Sequence, residues 1–258
     1  MSLAAQNELI PAQKVTQQAP VEQSQNGIRY ALFGHNLVQH GEVERLVQAV
    51  PMGVAAALGK RAYYFVPLTL AEGDETLVSA GYSIDLGDRA SCHRNVKFEG
   101  TEATFISTRL MDDRFGLAFE FFINAAHEFV ETAGVPASFS ELVCAQAEEN
   151  VRGETSHDAW ESRKRAWERK QTEQGESAVV PSGAVDERAK NSFIEAAFSD
   201  SLAVYMLSLA QDFDYYDLRE REYPLLAAPA LAERLRAIAV LFPPNPSFEF
   251  QILYRKRG

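Results

Sequence analysis

Cysteine is scarce in this 258-residue chain: there are two, Cys92 and Cys144, far apart and in no C-x-x-C pair. That spacing writes no disulfide framework and suits a reducing compartment. Positive charge is also in deficit. Lys and Arg number 25 against 36 Asp and Glu, giving a net charge of -11 and a pI near 5.0. Such a balance repels a phosphate backbone, so nucleic acid is not an expected partner. The basic clusters, Arg163-Lys164-Arg165 with Arg169-Lys170 and Arg255-Lys256-Arg257, read as solvated helix surface and tail. No run approaches the ~18 apolar residues of a membrane span, and no basic stretch followed by an apolar one opens the chain. Neither membrane insertion nor secretion is expected, and the cytoplasm is the expected compartment. Internal repeats, a Gly-rich phosphate loop and a dinucleotide fingerprint are all missing.

What is present is enough to build a core. Hydrophobic residues make up 46% of the chain and aromatics 10%, ordinary values for a folded domain. Residues 1–27, rich in Gln and broken by Pro11 and Pro20, read as a flexible leader, or as an arm that packs on the body or contacts a partner through the small apolar handles Leu9-Ile10 and Val15. The remainder, 28–258, reads as a single α+β domain. Its part 28–110 favours short strands: Ile28 to Phe33, Ala62 to Leu70, Thr76 to Ile84, Val96 to Phe98 and Ala103 to Thr108. Gly73-Asp74 fits a hairpin turn, and a helix from Glu42 to Val50 interrupts the series. A small, mainly antiparallel sheet is expected there.

Part 111–258 is helical. Asp112-Asp113 can cap a helix to about Thr132, stopped by Gly134 and Pro136. Others are expected from Ser138 to Val151, from a Thr155 or Ser156 cap through Lys170, from Asp186 to Gln211 and from Pro229 to Leu241. Gln174 to Ala184 reads as an exposed loop. The alternation of Phe248, Phe250, Ile252 and Tyr254 suggests a last strand returning to the sheet.

The helix to Thr132 is apolar almost all round, so its polar residues are informative. Glu120, Asn124, His127 and Glu131 follow at spacings of four, three and four, and project as one stripe. A buried stripe of this kind must be hydrogen-bonded, paired or bound to a metal. Glu195 and Ser199, four apart with Asp200 beside them on another apolar helix, offer a second wall. The alternative is a structural network of ion pairs and hydrogen bonds between the helices.

The segment Ala125-Ala126-His127-Glu128-Phe129-Val130-Glu131-Thr132-Ala133-Gly134 resembles the zinc-binding helix of gluzincin-type metallopeptidases, in which H-E-x-x-H is followed by a small residue and Gly. Ala196 to Tyr205 is similar to the family's second helix, whose acidic residue is the third ligand, and Tyr223-Pro224-Leu225-Leu226 to the stretch after it. The resemblance covers the helical half. In the family, residues four apart on one helical face chelate zinc while the intervening Glu polarises the attacking water. By resemblance, His127 is a ligand and Glu128 the general base. Glu131 stands where the second His belongs, and Asp200 or Glu195 supplies the third ligand to one zinc or other divalent transition metal. The carboxylate at Glu131 departs from the usual zinc environment. The resemblance therefore implies a metal-dependent peptidase or amide hydrolase, or an inactive relative.

Other residues carry further expectations. Glu154-x-x-His157 has the spacing of carboxylate-bridged di-metal bundles, which would make the protein oxidase-like; a capped, solvated His157 paired with Glu161 is the plainer account. Cys92 and His93, adjacent in a strand, point to opposite faces and do not activate one another. Cys144 reads as core. Trp160 and Trp167 form a stripe for packing on the body or on a second subunit, and Asp212 to Asp217 reads as aromatics beneath an acidic edge. The competing class is a non-catalytic structural or interaction protein, a homo-oligomer or one that assembles with other chains through the leader and the tryptophan stripe.

Overall fold

The computed structural model of the protein describes residues 9–36, 38–98, 100–109, 114–167, 186–218 and 222–253. Its architecture follows from one strand. Every residue of β4 (Arg61–Val66) is buried, and successive side chains serve different cores. Tyr63 and Phe65 point into the larger core, whereas Ala62, Tyr64 and Val66 point into the smaller one. A strand covered on both faces reads as a continuous apolar run, as this one does.

β4 is central in a five-stranded sheet of order β2 (Glu22–Gln23), β3 (Arg29–Leu32), β4, β9 (Thr101–Ser107), β8 (His93–Phe98). Its two pairings, to β3 and β9, are parallel, and the outer two are antiparallel. Pro67 interrupts the chain, which passes at once into a second sheet of order β1 (Leu9–Pro11), β6 (Glu75–Ser79), β5 (Leu68–Glu72), β7 (Ala90–Ser91), all antiparallel. The strand expected to run unbroken from Ala62 to Leu70 is thus two strands in two sheets. Proline lacks the N–H that would continue the ladder. Gly73-Asp74 is the expected two-residue turn, with Gly73 at φ 58° between Glu72 and Glu75.

The described part of the leader takes the packed-arm form of the two expected: β1 adds an edge to the second sheet, and α1 (Ala12–Gln18) covers the back of the first. Ala12, Val15 and Ala19, spaced three and four, are buried against the Tyr64, Val66 and Phe105 face, while Gln13, Gln17 and Gln18 face outward. α2 (His40–Gln48) and α3 (Met52–Ala55) lie with the larger core through Val43, Val47 and Val54, and α4 (Ile84–Gly87) is a single turn.

The helical half packs on the front of the first sheet. α5 (Arg114–Ala133) sets Phe121 on Tyr63, ring centroids 5.0 Å apart, and Phe129 on Phe198 of α8 (Glu187–Ala210). The expected Asp112-Asp113 cap of α5 lies outside the described residues, whereas Asp186 caps α8 by accepting from the amides of Arg188 and Ala189. α8 is long and apolar enough to cross a membrane, and 72% of its most apolar window is buried inside this fold. α6 (Ala137–Glu148), α7 (His157–Trp167) and α9 (Ala228–Leu241) surround it. Ser156 caps α7 as expected, accepting from Ala159 N–H at 3.1 Å. The Gln174 to Ala184 loop lies outside the described residues.

No strand forms among described residues 242–253. Phe248, Phe250 and Ile252 still alternate inward onto the larger core, Phe250 edge-on to Tyr205 at 5.1 Å. The alternation survives without a sheet edge to pair with, so the expected C-terminal strand is an extended strap.

Candidate functional site

The polar residues of α5 meet three different surroundings, two along the stripe and one at Glu128 beside it. At its start, Glu120 Oε1 lies 2.5 Å from His93 Nδ1 at the end of β8, and buried Asn124 donates to the Glu120 carbonyl at 2.8 Å. Further along, His127 and Glu131 are exposed. Partial burial holds the His127 imidazole below its ordinary pKa, with Glu131 pulling the other way and His93 adding to the depression. The stripe expected to be buried throughout is buried only at its Asn124 end.

Glu128 turns toward the sheet. A helical step of 100° separates it from His127, and it meets Arg61 of β4, whose Nη2 lies 2.5 Å from Glu128 Oε2. Both side chains are under a tenth exposed. Arg61 also donates to Glu102, Asn95 and Thr104, at 3.1 Å each. Burial pushes the Glu128 carboxyl above its ordinary pKa and Arg61 draws it back. The Tyr63 hydroxyl, on the same face, has its pKa driven upward by burial, and among the described residues neither it nor Arg61 Nε has a hydrogen-bond partner.

On α8 the same 100° step divides Ser199 from Asp200. Asp200 is buried and accepts from Thr155 Oγ1 at 2.9 Å; burial is the main cause lifting its pKa to about 6, against hydrogen bonds from Ser156 and Thr155 and the charge of Arg234. Beside it, fully buried Glu154 is held by Arg163 at 2.9 Å and Arg234 at 2.9 Å, and Arg234 Nε donates to Gln146 at 2.8 Å. These charges are compensated within the fold, as buried charges must be. The backbone is fixed there too: Gly153, at φ 81°, lies so close to the Leu225 carbonyl that a Cβ has no room.

Ser199 and Glu195 look the other way, into a groove of about 490 Å3 between α5, α7 and α8. α5 lends it His127, Val130 and Glu131; α7 lends His157, Asp158, Glu161, Ser162 and Arg165; α8 lends Ser192, Glu195, Ala196 and Ser199. Among the described residues, His127, Glu131, Glu195 and Arg165 make no hydrogen bond or ion pair, whereas Glu161 is 3.3 Å from Lys164. Ser199 is 1% exposed, and its hydroxyl has no hydrogen-bond partner among the described residues.

The sequence-derived metal set is therefore split. His127, Glu131 and Glu195 share the groove, while Glu128 and Asp200 are committed to Arg61 and Thr155 outside it. Among the described residues no three His, Cys, Asp or Glu side chains gather in a way that could hold a metal ion. The donor set does not fit the zinc centre implied by the resemblance. Glu154 and His157 also part: Glu154 is sealed between two arginines, and exposed His157 has Asp158 at 4.0 Å as its ion-pair neighbour rather than Glu161. Cys92 is exposed and Cys144 half-buried, both with thiols pushed up by burial, which leaves neither activated. Trp167 packs on Phe193 at 5.4 Å, Trp160 carries Lys164 4.9 Å over its ring, and Phe213 packs on Phe115 at 5.9 Å.

The α7 wall of the groove and the Arg61 partner of Glu128 went unread in the sequence. Pairing across elements has no local signal. The chain has no match among protein-family models, curated proteins or solved structures.

Proposed function

We propose that this chain is a non-catalytic binding protein of the cytoplasm, and that its ligand or partner docks in the groove between α5, α7 and α8. The observation that carries this reading is the division of charge on α5. Glu128 is spent on Arg61 inside the fold, whereas His127 and Glu131 stand unpartnered in a concave surface with Glu195. Charged side chains without internal partners contribute little to stability and are available to a ligand. Metal-assisted hydrolysis has less support, because the carboxylate needed as general base is directed to Arg61 instead of the groove.

The leader and the tryptophans expected to recruit a partner are largely used internally, since α1 covers the back of the sheet and Trp167 packs on Phe193. Metal analysis of protein purified without chelator tests the proposal. Substoichiometric transition metal and a melting temperature unchanged by chelator are expected. About one bound ion per chain, lost in His127→Ala, would overturn it in favour of a metal centre.

A further inference from the structure

We infer that the groove binds a cationic amine on a methylene chain, either a linear polyamine or a lysine side chain of a peptide. The inference rests on the groove being the binding site, and adds the chemistry of what it takes.

The hydroxyl of Ser199 is the first reason. Ser199 lines the groove, is 1% exposed, and its hydroxyl has no hydrogen-bond partner among the described residues. A buried polar atom left unpaired destabilises the fold, so a ligand donor that reaches it satisfies a standing deficit. The same groove is lined by Glu131 and Glu195, carboxylates without internal partners among the described residues, and by exposed Asp158. An ammonium carries three donors and no acceptor, so it can serve a hydroxyl oxygen and carboxylates of the same groove. Among the described residues Arg165 is the only Lys or Arg lining the groove, against the carboxylates of Glu131, Asp158, Glu161 and Glu195. Val130 and Ala196 also line it and supply apolar contact for methylenes between amines. The volume, about 490 Å3, exceeds a single ammonium and matches a chain-like ligand.

Titration of the full chain with spermidine and, separately, with an N-acetylated, C-amidated trilysine tests this by calorimetry and by amide chemical shifts. One saturable equivalent is expected, with shifts centred on Ala196 and Ser199; the tighter of the two probes assigns the source as free polyamine or peptide. Glu131→Gln and Glu195→Gln should each weaken binding about two- to fivefold, and Ser199→Ala about fivefold. Glu75→Gln, an equal loss of charge at the exposed first residue of the otherwise buried β6, should leave it unchanged. Equal weakening by Glu75→Gln would reduce the effect to general attraction by an acidic surface and overturn the inference. If zinc or citrate shifts the groove amides and neither amine does, the amine inference falls while the groove stands as a binding site. If none of these probes shifts them, both fall.

Discussion

Asp200 offers the sharpest separation of a structural carboxylate from a metal ligand. In the folded protein it keeps its proton to about pH 6, against an ordinary value of 3.8. Between those values the folded chain holds more protons than the unfolded one, so this group's contribution to stability is full below the lower value and declines as pH rises through the upper. At roughly 1.4 kcal/mol per pH unit, the penalty above about pH 7 comes to about 3 kcal/mol. Asp200 is 7% exposed, so solvent screening takes little from it. Asp200→Asn removes the charge and keeps an oxygen for the Thr155 hydroxyl. Urea unfolding of both proteins at a series of pH values should show the variant gaining about 3 kcal/mol on the parent between about pH 4 and pH 8. A difference that is flat with pH, or a variant less stable at the alkaline end, would refute the assignment of burial as the dominant influence on this group.

Two further outcomes follow from packing. Gly153→Ala places a Cβ against the Leu225 carbonyl at a positive φ, and should lower unfolding free energy by at least about 3 kcal/mol in denaturant. Removal of residues 1–19 uncovers the face on which Val15 is fully buried; a loss of about 2–4 kcal/mol is expected by the same measurement. A truncated chain as stable as the parent would return those residues to the role of a loose leader.

Much of the secondary structure was legible because its signals are local. Asp186 before an apolar helix, Gly73-Asp74 between alternating segments, and Ser156 before His157 each do in the fold what their chemistry predicts. For the leader, the choice between a flexible segment and a packed arm stayed open because residues 12–19 bury only Ala12, Val15 and Ala19, too little apolar surface to stand out among glutamines. Its order comes from a sheet face that needs a cover, a fact that resides in β4 and β9. Residues Phe248 to Ile252 show the reverse: alternation announces which side chains turn inward, but not whether an edge is free to pair.

The candidate site divides along the same line. The spacing of His127 and Glu131, and of Glu195 and Ser199, correctly placed each pair on one face, and all four line the groove. The neighbours Glu128 and Asp200 were assigned to the same centre, yet a rotation of 100° per residue carries each to another face. Only the tertiary partners, Arg61 on a strand and Thr155 before α7, decide what those faces meet.

That division is most directly tested by comparing His127→Ala with Glu128→Ala in denaturant unfolding. His127 has no internal hydrogen bond among the described residues, so its loss should change stability by less than about 0.5 kcal/mol. Loss of Glu128 leaves Arg61 buried with only Glu102, Asn95 and Thr104, and should cost about 2–3 kcal/mol. Equal losses in the two variants, or an unperturbed Glu128→Ala, would contradict the claim that these adjacent residues serve a binding groove and a structural ion pair respectively.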